Sequence, residues 1–243
     1  MTDSKISGDF IAEDNDKRAA ALKSDYAALG EKLARSNIDI NAVTAKVAEF
    51  FVAVPSWGVG TGGTRFARFP GLGEPRHIFD KLDDCSVINE LTRATPTVSL
   101  HIPWDKTDPK ELKAKGDQLG LGFDAMNSNT FSDAPDQANS YKYGSLSHVD
   151  AATRAQAVEH NIECIEIGNA IGSKALTVWV GDGSNFPGQT NFTRSFERYL
   201  AAMADIYKAL PDDWLLAGLR RAFPDAETIV QREYGASDLY PRA

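Results

Sequence analysis

Histidine and aromatic residues stand at the ends of short apolar segments in this sequence. The residues in this position are His101, Trp57, Trp104, Phe131 and Trp179. An imidazole titrates near neutral pH, so it can exchange a proton with a bound hydroxyl group or form a hydrogen bond to it. Aromatic rings form apolar walls against the aliphatic faces of a sugar. These residue types together predict a site for a polar, sugar-like ligand.

The same residues have a second interpretation, because each of them can also be part of an ordinary core. A lone histidine is usually a hydrogen-bonded core residue, but Pro103 ends the strand soon after His101, which favours a position in a pocket. Asn127, Asn129 and Asp182 are candidates for polar contacts to a ligand there. The other three histidines show no spacing typical of metal ligands and are interpreted as surface or capping residues: His77, His148 and His160.

Four apolar, strand-like segments alternate with helical patterns along the chain. The strands are predicted at residues 51–54, 97–102, 121–126 and 174–180. Near-continuous apolar strands separated by helices are typical of a parallel sheet with helical crossovers. The predicted fold class is α/β, the N-terminal half of a TIM (β/α)8 barrel, with about four βα units preceded by N-terminal helices. The carboxyl ends of such strands share one face, so the histidine and aromatic residues are expected to converge.

Apolar residues spaced three and four apart predict the helices. These are expected at residues 16–35, 40–50, 78–93, 109–118 and 151–171, and a clear amphipathic stripe covers 196–210. The strongest helix-start signal is at Asp108. An acceptor side chain stands there at the N-cap, a proline follows at the first helical position, and a glutamate comes three residues after the cap. Residues 55–75 and 127–148 are interpreted as long irregular segments. Residues 215–221 are helix-like where a fifth strand is due.

Composition and charge limit the class of protein. The 243 residues, 42% hydrophobic and 25% charged, are typical of a soluble chain with a core. A formal net charge of -8 argues against nucleic acid as a partner. The sequence shows neither a signal-peptide pattern nor an apolar run of membrane-spanning length, so no membrane partner is expected and the cytoplasm is the expected location. Cys85 and Cys164 lack metal-ligand spacing and are interpreted as buried thiols.

The glycines at residues 58–63 follow the spacing of a dinucleotide-binding loop and come after a predicted strand. Such a loop passes directly into a helix that holds the pyrophosphate. Here residues 65–71, which include Pro70, follow instead, with Pro75 soon after, so a lid or subunit-contact loop is the favoured interpretation. An NAD-dependent oxidoreductase stays open as a further alternative that rests on these glycines alone.

Four longer segments closely resemble the Pseudomonas-type L-rhamnose isomerases. They read VPSWGVGTGGTRF at residues 54–66, SLHIPWD at 99–105, DAMNSNTF at 124–131 and VWVGDGSN at 178–185. The resemblance covers about residues 10–214. It implies a xylose-isomerase-like barrel, a homotetramer, and manganese-dependent interconversion of aldoses and ketoses, here L-rhamnose and L-rhamnulose.

The resemblance also assigns roles to residues of this chain. It implies that His101, the candidate catalytic residue, lines a monosaccharide site. Candidate substrate-binding residues are Trp57, Trp104, Phe131 and Trp179, together with Phe66, whose counterpart reaches the pocket of a neighbouring subunit.

The sequence departs from this family after Trp214. The family carries a Glu-His-Lys run on its fifth strand, with a metal ligand and a catalytic lysine, and that run falls where this sequence has residues 219–221, Leu-Arg-Arg. Later metal-binding histidines and aspartates have no counterpart. The domain prediction is therefore a partial barrel at residues 1–214 and a divergent tail at 215–243, with no metal ligand assigned and with a truncated, inactive chain as the expectation.

Two hypotheses about function follow. The first is an aldose–ketose isomerase by descent whose chain lacks catalysis on its own. The second is a non-catalytic half-barrel that binds sugar weakly or pairs with another chain. Four parallel strands cannot close a barrel, so the first and fourth strands are expected to present unpaired edges, and the chain is expected to self-associate.

Overall fold

The computed structural model describes residues 6–60, 72–134, 136–182 and 188–216. Its strands are β1 Ala53–Pro55, β2 Thr97–Ile102, β3 Gly122–Thr130, β4 Ala175–Val180 and β5 Leu215–Leu216. They form one sheet in the order β1-β2-β3-β4-β5, and every neighbouring pair is parallel. This succession of parallel strands with helical crossovers confirms the predicted α/β fold class, in the arrangement of half a (β/α)8 barrel.

Seven helices are present in the described parts of the chain. They are α1 Gly8–Ala34, α2 Ile40–Ala48, α3 Ser56–Val59, α4 Ile78–Thr92, α5 Pro109–Leu119, α6 Ala151–Ile171 and α7 Phe192–Ala209. The N-cap predicted for α5 is confirmed, since the Asp108 carboxylate accepts hydrogen bonds from the main-chain N–H groups of Lys110 and Glu111. None of the helices in these parts combines the length and apolar character needed to cross a bilayer.

The first strand is shorter and later than predicted. It covers Ala53–Pro55, whereas Phe51 and Val52 lie exposed before it, at 57% and 47%. The predicted loop after Pro55 instead begins with the short helix α3. Gly58 lies within α3, which is unlike a glycine turn between strand and helix. Residues 61–63 of the glycine segment, and Phe66, lie outside the described residues.

The third strand is longer than predicted. It continues through four polar residues to Thr130, because residues 126–130 pair with residues 176–180 of β4. Asn127 and Ser128 pair with both neighbouring strands, and Asn129 and Thr130 pair with β4, so main-chain groups of this polar stretch are bonded. The prediction assigned the stretch to an irregular segment. The pairing with β2 places His101 opposite Asn127.

The prediction for residues 215 and 216 was wrong. They form β5 and pair with Ala175 and Leu176 of β4, so the outer edge of β4 is partly covered. The helix-like run of leucines therefore starts as the fifth parallel strand of the alternation. Residues 217–243 lie outside the described residues, and the division of the chain at residue 214 stays a prediction.

The core lies between the sheet and helices α4 to α7. Leu82, Leu100, Met126, Leu176 and Ile206 are each fully buried there. Helix α6 approaches the sheet closely at Gly168, where a Cβ atom would lie 2.5 Å from Met126 Cγ and 2.5 Å from the ring of Trp214. This contact requires a residue without a side chain.

The N-terminal helices are covered much less. Side chains that the helical spacing predicts to share one face of α1 are largely exposed, with Leu22 at 60%, Tyr26 at 40% and Leu29 at 49%. Val47 of α2 is also exposed, at 66%. This apolar face therefore lies on the surface of the described structure.

Candidate functional site

The predicted histidine and aromatic residues meet at the carboxyl ends of β1 to β4. The His101 ring lies 5.2 Å from Trp57, 4.7 Å from Trp104 and 5.8 Å from Phe131, measured between ring centroids. Phe131 in turn lies 6.4 Å from Trp179. His101 is 4% exposed, whereas Trp179 is 46% exposed. The predicted convergence is therefore observed, with a buried imidazole among rings that reach the surface; these five residues are called the aromatic cluster below.

Asn127 holds one wall of the aromatic cluster. Its side-chain carbonyl accepts a hydrogen bond of 2.9 Å from the indole nitrogen of Trp179. Its amide nitrogen donates to the main-chain oxygens of Leu100 and Ala125, at 3.0 and 3.1 Å. Because both ends of the amide are occupied, Asn127 fixes the direction of the Trp179 ring.

Two further polar residues that were candidates for ligand contacts are used within the protein. The Asn129 side chain forms a local turn with Ser132, to which it donates at 2.8 Å. The Asp182 carboxylate accepts from the main chain and hydroxyl group of both Ser145 and Ser147, over 2.6–2.8 Å. Asp182 therefore joins the loop after β4 to the loop after β3 and acts as a support for the site.

A buried ion pair lies directly behind His101. Lys81 Nζ donates to Asp105 Oδ1 at 2.7 Å, and both side chains are 0% exposed. The other carboxylate oxygen accepts from the His101 main-chain N–H at 2.8 Å and from the hydroxyl group of Ser56. Sequence patterns do not single out this group. The one available indication is helical spacing, which puts Lys81 on the same face of α4 as Ile78 and Cys85.

A cavity of about 290 Å³ lies beside the aromatic cluster and shares no residue with it. Its lining residues are Pro103, Asn129, Ala134, Asp136, Gln137, Ala138, Tyr141, Gln156 and His160. The polar groups of Gln137 and Gln156 already bond to the surrounding loop, at Ala134 and Asn139.

The interpretation of His160 as a surface or capping residue was wrong. Its side chain is 15% exposed, and Nε2 accepts a hydrogen bond of 3.0 Å from the main-chain N–H of Asn129. Helix α6 thus holds the end of β3 through this imidazole. Burial lowers the pKa of His160 below its ordinary 6.5, although the nearby Glu163 carboxylate opposes the shift.

The lowered pKa of His160 predicts a loss of stability in mild acid. The unfolded chain binds the proton first, so this contribution is complete above about pH 6.5 and is lost as the pH falls below that value. His160→Gln keeps an acceptor for Asn129 but does not titrate. We expect the urea midpoint of the wild type to fall more than that of the variant between about pH 7 and about pH 5.5. Equal falls in the two proteins would contradict the prediction.

Metal ligands and reactive thiols are not evident in the described residues. Within residues 6–60, 72–134, 136–182 and 188–216, no group of three or more His, Cys, Asp or Glu side chains is placed to hold a metal ion. These residues do not fit the manganese that the resemblance implies. Cys85 and Cys164 are buried free thiols, as interpreted from the sequence. Burial, with the Asp84 and Asp105 carboxylates, raises the pKa of Cys85 to about 12, and burial also raises the pKa of Cys164.

The fold and site together define an α/β protein with a cluster of one histidine and four aromatic residues at the carboxyl ends of successive parallel strands. The chain is homologous to proteins named as probable sugar isomerases. One, from Rhizobium meliloti, is 65% identical over 246 residues, which is 98% of this chain and 57% of that protein. Another, from Mesorhizobium japonicum, is 64% identical over 241 residues, 98% of this chain and 56% of that protein. The chain thus spans about half the length of these relatives.

Solved structures resemble this chain only weakly. No family model matches the sequence. An L-ribulose 3-epimerase structure has a TM-score of 0.45 at 15% identity, covering 66% of this chain and 46% of its own. The 3-keto-D-glucoside 4-epimerase of E. coli has a TM-score of 0.46 at 12% identity, covering 66% and 52%. With TM-scores and sequence identities this low, neither structure assigns an activity to the chain.

Proposed function

We propose that this chain forms the sugar-binding part of an aldose–ketose isomerase acting on L-rhamnose. The observation that carries the proposal is the position of His101, 4% exposed and within 6 Å of three aromatic rings. Aromatic rings pack against the C–H faces of a sugar, and an imidazole forms hydrogen bonds to its hydroxyl groups. The high identity to probable sugar isomerases supports a sugar as the ligand.

His101 is the group that exchanges a proton with or hydrogen-bonds the sugar in this proposal. The walls of the site exclude water and orient the sugar. They are formed by Trp57, Trp104, Phe131 and Trp179. Phe66 is a candidate substrate-binding residue on the basis of the resemblance alone. No step passes through manganese, because the described residues supply no ligand group for it.

Binding of L-rhamnose tests this proposal directly. We expect heat release in a calorimetric titration of the full chain with L-rhamnose. The variants His101→Ala and Trp179→Ala are each expected to bind L-rhamnose at least about tenfold more weakly than the wild type, since each change removes a direct contact with the sugar. Phe10→Ala, which removes an exposed aromatic ring from α1, is the control and leaves the affinity unchanged. If the wild type and all three variants bind L-rhamnose with the same affinity, the sugar binds outside the aromatic cluster.

Catalysis by this chain alone is tested separately. We propose that it forms no L-rhamnulose from L-rhamnose, with or without added Mn²⁺, because polarisation of the sugar by a metal needs ligands that the described residues do not group together. The measurement is the ketose formed after prolonged incubation. Formation of L-rhamnulose that depends on added Mn²⁺ would show that ligands outside the described residues complete the site.

A second candidate is a chain-pairing module that forms a homo-oligomer. Exposed apolar side chains on α1, α2 and the following residues favour it, among them Phe10, Val47, Phe50 and Phe51 at 57–70% exposed. In the described structure β1 is the end strand of the sheet, and two copies of one such edge can pair about a two-fold axis. We expect a dimer or larger species in sedimentation velocity at micromolar concentration. A stable monomer would exclude this candidate.

A further inference from the structure

We propose that Lys81, acting through Asp105, is a positioning residue that sets the orientation of His101 and the tryptophans beside it. The proposal rests on the proposed function, because orientation matters only if the aromatic cluster holds a ligand. Lys81 itself contacts no residue of the cluster by a polar bond. Its effect passes through the carboxylate of Asp105, to which it donates at 2.7 Å.

Asp105 connects the segments that carry three of the five cluster residues. One carboxylate oxygen accepts from the His101 main-chain N–H, at 2.8 Å, and from the Ser56 hydroxyl group. The Asp105 main-chain N–H donates back to the His101 carbonyl at 3.0 Å. Ser56 directly precedes Trp57, and Asp105 directly follows Trp104. One carboxylate therefore joins the start of α3, the end of β2 and the turn that follows β2.

Lys81 determines which way that carboxylate faces. With Oδ1 bound to the ammonium group, Oδ2 is left to face His101 and Ser56. Because both side chains are fully buried, water does not take the place of the ammonium group as the donor to Asp105 Oδ1. The chain also packs closely over Lys81, since a Cβ at Gly60 would lie 3.0 Å from Lys81 Cγ and 2.5 Å from the Pro75 carbonyl oxygen.

Charge balance makes the two members of the pair interdependent. In Lys81→Met the Asp105 carboxylate loses its only described counter-charge in direct contact. In Asp105→Asn, Lys81 and the His101 N–H compete for a single amide oxygen, because an amide nitrogen accepts no hydrogen bond. In the double variant the competing ammonium donor is gone, so the amide introduced at position 105 can turn its oxygen toward His101. The double variant is therefore expected to restore the position of His101 that each single variant disturbs.

The experiment compares the full chain with Lys81→Met, Asp105→Asn and the double variant, and Lys174→Met is the matched control. Lys174 pairs with Asp213 at the surface, where the two side chains are 65% and 59% exposed. The first readout is the NMR shift of the His101 ring protons, which depends on the three rings around it. The chain has four histidines, and His101→Asn identifies the signals. The second readout is the affinity for L-rhamnose.

We expect both single variants to move the His101 signals and to weaken L-rhamnose binding about tenfold or more, as misplacement of a contact group does. The double variant and Lys174→Met are expected to keep wild-type signals and affinity within about threefold. A wild type that fails to bind L-rhamnose, with His101 signals that move as expected, would overturn the proposed function and leave the positioning role supported.

Unmoved His101 signals in folded Lys81→Met or Asp105→Asn would overturn the positioning role, whatever the binding result. If the single variants do not fold, the double variant decides. Wild-type His101 signals in the double variant support the proposal. Displaced His101 signals overturn the proposal, because the retained acceptor at position 105 would then be insufficient to hold His101.

Discussion

Lys81→Met is expected to lower the free energy of unfolding by about 3–5 kcal/mol, the usual cost of leaving one member of a buried ion pair without its partner. The Lys81 and Asp105 side chains are both 0% exposed. Removing the ammonium group leaves a carboxylate in a low-dielectric interior, where water cannot solvate it. Urea denaturation followed by far-ultraviolet circular dichroism measures the change.

The surface pair of Lys174 and Asp213 gives the matched comparison. Its side chains are well exposed, so Lys174→Met is expected to cost less than about 1 kcal/mol. Adding Asp105→Asn to Lys81→Met removes the unpaired charge and is expected to recover most of the lost stability. Equal effects of Lys81→Met and Lys174→Met would show that the buried pair contributes no more than an exposed one.

Gly168→Val is expected to destabilise the chain by about 1–3 kcal/mol through overpacking. The added Cβ would come within 2.5 Å of both Met126 Cγ and the Trp214 ring. Neither neighbour can retreat easily, because Met126 is fully buried on β3 and Trp214 is 1% exposed next to β5. Helix α6 would have to move away from the sheet. The free energy of unfolding in urea is again the measurement.

Ala170→Val provides the control for this change on the same helix. Ala170 is exposed, so the valine there meets no core residue, and the expected cost is only the difference in helix propensity, about 0.5 kcal/mol. A Gly168→Val variant as stable as Ala170→Val would mean that α6 and Trp214 are not held together as closely as the distances indicate.

Local sequence signals are enough to predict most of the secondary structure that supports the site. Asp108 predicts the start of α5 because its side chain can bond to main-chain N–H groups nearby in the sequence, and such local effects need no tertiary contact. The apolar run of β2 is likewise recognisable, since a strand covered on both faces is apolar throughout. Convergence of His101, Phe131 and Trp179 followed from one rule, that the carboxyl ends of parallel strands share a face.

Other features of the site depend on contacts between segments that are distant in the sequence. The polar end of β3 becomes a strand because β4 pairs with all of it and β2 pairs with its first two residues. Residues 215–216 become a strand because β4 offers its other edge. Lys81 and Asp105 are 24 residues apart, and Asn127 and Trp179 are 52 apart. Their residue types carry no local preference for each other. A hydrogen bond or ion pair between distant residues forms when the packing of helices and strands brings the two side chains within about 3 Å, and that distance is a property of the folded chain rather than of any segment of its sequence.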